Sequence, residues 1–303
     1  APSAILLSMK LVVPLTMPST ADTSLAIIDS RSTLTTGIAA HTLASKRSWT
    51  PCSSAAIRPG RQSPRSSAFA PDSTAARPRE SSAVLMLHGN PTWSFYYRQL
   101  VQTLRTTRRC LAPDHIGMGL SAKPQDYDYS LARRIDDIVA LVRELHLSKV
   151  DLVVHDWGGA IGFGLAARHP ELIGRLTILN TAAFASTNIP RRIALCRTPI
   201  LGPLVVRGLN GFAGPAVTMA MSRRKLSAVE RAGYLWPYRS WNDRVAVNAF
   251  VQDIPMSPQH RTWPTLTDVE RGLAQLRDRD ALIVWGGRDF CFRSEEHTSE
   301  LQS

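Results

Sequence analysis

Residues 150–167 constrain this chain more than any other stretch. The run Val150-Asp151-Leu152-Val153-Val154 flows through His155-Asp156-Trp157-Gly158-Gly159 into Ala160-Ile161-Gly162-Phe163-Gly164-Leu165. A β-branched apolar run of that length is a buried strand, and the small-residue stretch after it opens a helix. A strand that passes at once into a helix must bend sharply. The polar residue at the bend is then lifted off the sheet edge, with only small neighbours around it. Here that residue is Asp156. An Asp after a strand is by itself equally well explained as a helix cap; the tight elbow around this one argues for a nucleophile. A carboxylate so placed can attack an electrophilic carbon and form an ester.

The neighbouring segments fit one sheet alternating with helices. Ala83-Val84-Leu85-Met86-Leu87 is a buried strand ended by His88-Gly89-Asn90-Pro91, and residues 93–105 carry helical spacing. Arg109-Cys110-Leu111-Ala112-Pro113-Asp114 is a second strand, and helical spacing returns over 131–145, ahead of the elbow. Arg175-Leu176-Thr177-Ile178-Leu179-Asn180 and Asp280-Ala281-Leu282-Ile283-Val284-Trp285-Gly286 are further strands. This alternation predicts an α/β fold, mostly parallel, with helices on both faces. Residues 184–262 break the rhythm: they are rich in Pro, aromatic and Arg residues, with helical pieces near 193–209, 228–236 and 244–252. They are expected to form a helical cap over the carboxyl edge of the sheet, where ligands bind in such folds. The core is thereby divided into 81–183 and 263–292.

Both ends are out of character. More than half of residues 1–80 are Ser, Thr, Ala or Pro, and 58–80 is Arg/Ser/Pro-rich with no hydrophobic period, which reads as disorder. The segment is either a disordered extension or a frame-shifted translation standing in place of the first strands. The second account is favoured, because the fold needs strands before Val84 and none is convincing. Residues 293–303 (RSEEHTSELQS) match the conceptual translation of a sequencing adapter and are set aside as foreign. The fold is therefore expected to be incomplete at both ends.

Several residues are candidates for chemistry. In a fold of this kind the loop after the 83–87 strand meets the residue that follows the nucleophile. The backbone N–H groups of Asn90 and Trp157 can then stabilise an oxyanion. Their side chains add an amide and an indole donor suited to a departing anion. Asp289, just past a late strand, is the acid that would orient a histidine base. That base should lie a helix and a strand further on; His297 is too near and sits inside the foreign string. The catalytic histidine is expected to be absent. His88 is assigned to holding its turn, and Asp114 to tying its loop. Trp93, Phe184, Phe212, Trp236 and Phe250 are candidate pocket walls, with Ile254 beside them; for Trp93, Phe95 and Tyr96, core or lid packing is the safer assignment.

Composition excludes some classes. Hydrophobic content of 44% with 20% charged residues is globular, and no apolar run is long enough to span a membrane. Cys52, Cys110, Cys196 and Cys291 show no paired spacing, so they read as free thiols in a reducing, cytoplasmic compartment with no metal site. A net charge of +12 raises the question of nucleic acid. The basic residues are scattered, and no nucleic-acid motif accompanies them, so a solvated basic surface is expected instead.

The stretches HGNPTWSFYYR (88–98), PDHIGMGLS (113–121), VHDWGGAIGFG (154–164) and WGGRDFCF (285–292) resemble the haloalkane dehalogenase branch of the α/β hydrolases. NTAAF (180–184), PYRSWNDR (237–244) and FVQDIPMSP (250–258) narrow the resemblance to the β-lactone decarboxylases of bacterial long-chain olefin biosynthesis. It covers about 82–292. It implies an α/β-hydrolase fold with a cap, Asp156 as nucleophile, Asn90 and Trp157 as donors to the leaving anion, and Asp289 as the acid. It further implies a small apolar substrate, no cofactor, and other olefin-biosynthesis enzymes as partners. The expected reaction is opening of a cis-β-lactone with release of CO₂ and a cis-alkene, although the chain, lacking its base, is expected to be inactive. Haloalkane dehalogenation is the second reading. Epoxide hydrolysis assisted by Tyr234 and Tyr238 is the third, and a non-catalytic remnant the fourth.

Overall fold

The computed structural model describes residues 12–16, 24–29, 82–184 and 189–292. Among these residues seven strands form one sheet: β1 (Val12–Thr16), β2 (Ser24–Asp29), β3 (Ser82–Leu87), β4 (Cys110–Pro113), β5 (Lys149–Asp156), β6 (Ile173–Thr181) and β7 (Ala281–Val284). Their spatial order is β1-β2-β4-β3-β5-β6-β7. From β4 to β7 neighbours pair in parallel, whereas β1 and β2 are antiparallel at the far edge.

The continuous apolar runs of β3 and β5 have a simple cause: both of their faces are covered. Leu85, Leu87, Leu152 and Val154 point into one core, with Ile135 and Ile138 of α2 (Leu131–Glu144) and Ile161 and Leu165 of α3 (Trp157–Arg168). Val84, Met86 and Val153 point the other way, onto Tyr97 and Val101, the latter in α1 (Arg98–Leu104). Side chains alternate along a strand, so a strand buried on both faces needs apolar residues at every position.

Helices fill the interval between β6 and β7. They are α4 (Arg191–Cys196), α5 (Leu201–Pro203) running into a π-helical turn (Leu204–Gly208), α6 (Ala213–Met219), α7 (Ala228–Leu235), α8 (Val245–Gln252) and α9 (Trp263–Gly272). The α9 helix packs against α3. Among the described residues no helix is long and apolar enough to cross a membrane.

The structure corrects the sequence reading in three places. First, two strands do precede Val84. Pro14 lies in β1, and β1 is the sheet edge, where proline is tolerated; short length and a Pro among Ser and Thr hid these strands. The expected disorder over 58–80 and the foreign string 293–303 lie outside the described residues. Second, the helix expected over 193–209 breaks between α4 and α5, at Pro199 and at Ile200 with φ 64°. Proline removes a helical hydrogen bond and clashes with the preceding turn. Third, α6 and α9 are helices that the periodicity did not single out.

β7 is the last strand in the order, and its Leu282, Ile283 and Val284 are exposed. At the centre of the sheet the fit is tight. A Cβ on Gly158 would lie 2.0 Å from the Leu87 carbonyl oxygen. That oxygen belongs to the backbone of β3 and cannot swing aside. Gly158→Ala is expected to destabilise the fold by about 1–3 kcal/mol, read as a lower urea midpoint at unchanged slope.

Candidate active site

Asp156 ends β5 and caps α3, with φ 52° and ψ −132°. A non-glycine residue held in this half of the Ramachandran map is strained, and such strain gathers at functional turns. The main chain is held there by Thr181, whose hydroxyl donates to the Asp156 carbonyl. The side chain is gripped at one oxygen. The backbone N–H groups of Asn90 and Trp157 both donate to Asp156 Oδ1, each at 2.7 Å. Gly89 makes this approach possible, since a Cβ there would fall 2.0 Å from the same oxygen. Oδ2 is left for chemistry.

Burial pushes the Asp156 pKa up to about 6. The two N–H donors pull it down, and the negative charge of Asp289 pushes it up again. Asp289 lies in the turn after β7, where its Oδ1 accepts from the backbone N–H of Cys291 (2.7 Å) and Phe292 (3.0 Å). One oxygen of the proposed acid is thus spent on shaping its own turn.

Asp156, Trp157, Asn90 and Asp289 all line a single cavity of about 840 Å³, with Phe184, Phe212 and Ile254 on its walls. The Asn90 side chain is partly committed elsewhere: its Nδ2 donates to the Val247 carbonyl of α8 at 3.1 Å, leaving one amide N–H uncommitted. No described residue accepts the Trp157 indole N–H. Its ring tilts against Phe250 at 5.3 Å.

Three expected walls are not walls. Phe250 is fully buried against Trp157, with the Arg134 guanidinium 3.4 Å from its ring centre. It lies on the inner face of α8 and supports the site from below. Trp93 is buried and stacked on Phe95. Trp236 is 50% exposed under the Arg239 guanidinium, on the outer surface. An aromatic residue in a helical segment gives no sign of which face it occupies until the helix is docked.

Conversely, Tyr96 and His155 line the cavity, stacked with ring centres 4.5 Å apart. For Tyr96 the sequence favours packing, and for His155 it gives no signal apart from the carboxylate beside it. Burial lowers the His155 pKa to about 4, and its Nδ1 has no partner among the described residues. His88 is neutral too, its pKa lowered by burial to about 4. Its Nδ1 donates to Gly89 O, and its Nε2 accepts from the His115 N–H, so it holds its turn. Asp114 accepts from the N–H groups of Ser94 and Leu120 and ties two loops. Tyr234 lines the cavity, but Tyr238 is buried away from it. Among the described residues no cluster of three or more His, Cys, Asp or Glu side chains could hold a metal ion.

An Asp on a strained strand–helix elbow, gripped by the N–H of the next residue and by one from a neighbouring loop, is the nucleophile arrangement of a hydrolase. The chain belongs to the alpha/beta hydrolase family, whose sequence profile, described as alpha/beta hydrolase fold, matches residues 82–303. It is 46% identical over 219 residues to a cis-3-alkyl-4-alkyloxetan-2-one decarboxylase of Shewanella oneidensis, a match covering 70% of this chain and 69% of that one. A protein of the same name from Xanthomonas campestris pv. campestris is 44% identical, over 71% of this chain and 75% of that one. A haloalkane dehalogenase of Mycolicibacterium paratuberculosis is 34% identical, over 70% and 69%. Among solved structures, haloalkane dehalogenase DbeA from Bradyrhizobium elkani is similar with a TM-score of 0.63 at 29% identity, covering 69% of this chain and 74% of that one.

The raised pKa of Asp156 fixes the sign of its pH dependence. Above about pH 6 the carboxylate is ionised, the form a nucleophile would need; below it the group is protonated. The rate of covalent labelling of Asp156 by an alkylating substrate, followed by mass spectrometry, is expected to fall about tenfold per pH unit below 6. An acid with a raised folded pKa destabilises the fold as pH rises from the unfolded value to the folded one. Asp156→Asn removes that burden. It is expected to be more stable at pH 7 by roughly 1–3 kcal/mol, measured by urea unfolding.

Proposed function

We propose that this protein decarboxylates a cis-3,4-dialkyl β-lactone to a cis-alkene and CO₂, with Asp156 as the nucleophile. The observation that carries the reading is the pair of relatives named for that ring, 44–46% identical over more than two thirds of their length. The catalytic assignments rest on the elbow geometry and on the resemblance.

The site residues then act in order. Asp156 Oδ2 attacks the ring carbon that bears the ring oxygen, and that C–O bond breaks with inversion. The ring opens to a carboxylate while Asp156 becomes an ester. The uncommitted amide N–H of Asn90 and the indole N–H of Trp157 receive the new anion. The C–C bond to that carboxylate then breaks, its electron pair forms the C=C bond, and the ester C–O bond releases Asp156 as a carboxylate. Inversion followed by anti departure keeps the two alkyl chains on one side. No water is consumed and no cofactor takes part.

Haloalkane dehalogenation is the second reading, favoured by the 34% identical relative. It asks for more: displacement of halide leaves an alkyl ester that water must cleave with the help of a base. Decarboxylation, by contrast, consumes no water and asks for no base to activate one. Asp289 belongs to the proposal as the acid that orients such a base. Residues 184–262 are proposed as the cap, the cytoplasm as the compartment, and enzymes that make or pass on the lactone as partners. Epoxide opening is the third reading: Tyr234 lines the cavity, as does Tyr96, whereas Tyr238 is buried away from it.

The test is incubation with a synthetic cis-3,4-dialkyl β-lactone and gas chromatography of the products. Alkene should form, and Asp156→Asn should lower the rate by roughly a thousandfold or more. Halide release from a dibromoalkane, with the lactone left intact, would overturn the assignment.

A further inference from the structure

The helices between β6 and α8 are apolar on two sides. Ile193, Val205 and Phe212 line the cavity. Facing outward, Ile200 and Leu209 are each 80% exposed, and Leu195, Leu201 and Leu204 about half. Of the fourteen large apolar side chains exposed among the described residues, nine fall within 195–241. Monomeric proteins seldom gather that much exposed apolar surface in one place without a use for it.

Ile200 sharpens the point. It is β-branched and sits at φ 64°, a conformation such residues rarely adopt. Its side chain gains no packing in return.

Charge follows the same segment. Residues 189–241 hold nine basic side chains and a single acidic one, Glu230. Glu230 is already paired with Arg98 and Arg224. Arg191, Arg223, Lys225 and Arg231 are exposed and have no acidic partner among the described residues. The pieces join up: the Arg207 guanidinium lies 4.6 Å over the Trp241 ring, and Arg192 reaches the Met219 sulfur at 3.3 Å. Leu195 and Met219 are exposed and also line the cavity. They stand at its rim, so the outer apolar face is continuous with the mouth.

We propose that this face of the cap rests on the surface of an anionic lipid bilayer. The aliphatic side chains enter the boundary between headgroups and acyl chains, and the arginines meet lipid phosphates. Nucleic acid would use the arginines but leave the leucines in water. A lipid interface uses both, since basic side chains lay their apolar stems along the boundary and keep their charge in the headgroups. The mouth then opens towards lipid, so that a two-chain substrate enters without crossing water; this clause alone rests on the proposed function.

The test is co-sedimentation of the full chain with vesicles of phosphatidylcholine, or of phosphatidylcholine mixed with phosphatidylglycerol. Binding is read without substrate, so a chain that fails to decarboxylate can still pass. Binding to the mixed vesicles is expected to be at least about tenfold tighter than to neutral ones, and to weaken with salt. The double variant Ile200→Asp/Leu209→Asp and the double variant Arg191→Glu/Arg223→Glu should each lose about tenfold or more. Arg271→Glu, an exposed charge change on α9, should not. Circular dichroism melts matching the parent confirm that the variants fold. Equal binding to both vesicle types, or retention in both double variants, overturns the proposal. So does an absence of sedimentation with either vesicle, which would leave the face to a protein partner.

Discussion

One oxygen atom organises this molecule. Asp156 Oδ1 takes two backbone N–H donors, one from the loop after β3, 66 residues before it in sequence, and one from the next residue, at the start of α3. Hydrogen bonds to a charged acceptor contribute about 1.5–3 kcal/mol each, and the positive end of the helix adds to them. Burial opposes ionisation. The balance leaves a carboxylate that is charged at neutral pH yet poorly solvated, the condition that the proposed nucleophile needs. The glycines follow from the same demand: Gly89 must let its loop reach the carboxylate, and Gly158 must let α3 reach β3.

The helical insert meets this centre through few contacts. The Asn90 side chain donates to the Val247 carbonyl, and Phe250 packs against both the Trp157 ring and the Arg134 guanidinium. Both contacts come from α8. The donor loop and the indole that line the cavity are thus braced by one helix. Arg134 lies inside with neither Nη bonded to any described residue, and burial lowers its pKa to about 10. The Asp253 and Asp137 charges, the Nε hydrogen bond to the Tyr129 carbonyl and contacts with the Phe250 and Tyr129 rings compensate the buried cation.

The elbow and the central strands were legible in the sequence because local chemistry dictates them. A doubly covered strand must be apolar throughout, and a sharp strand-to-helix turn must be built from small residues. What was not legible depends on docking. Trp236 and Phe250 look alike as aromatic residues in helical segments, yet one faces water and the other the core. Tyr96 and His155 reach the cavity only because their rings stack across two segments. β1 and β2 are strands by virtue of the edge they join, which five- and six-residue runs amid Ser, Thr and Pro do not announce.

The two carboxylates of the site are held very differently. Asp156 ends a strand bonded on both sides, whereas Asp289 follows a four-residue strand bonded on one side among the described residues, with exposed side chains. Local opening free energy tracks such burial and bonding. Amide hydrogens of β5 should therefore exchange only with global unfolding, while those of β7 and the turn after it exchange by fraying. Among the described residues Asp156 belongs to the most slowly opening part of the molecule and Asp289 to a more readily opening one, so the distance between the two carboxylates is set from the Asp289 side.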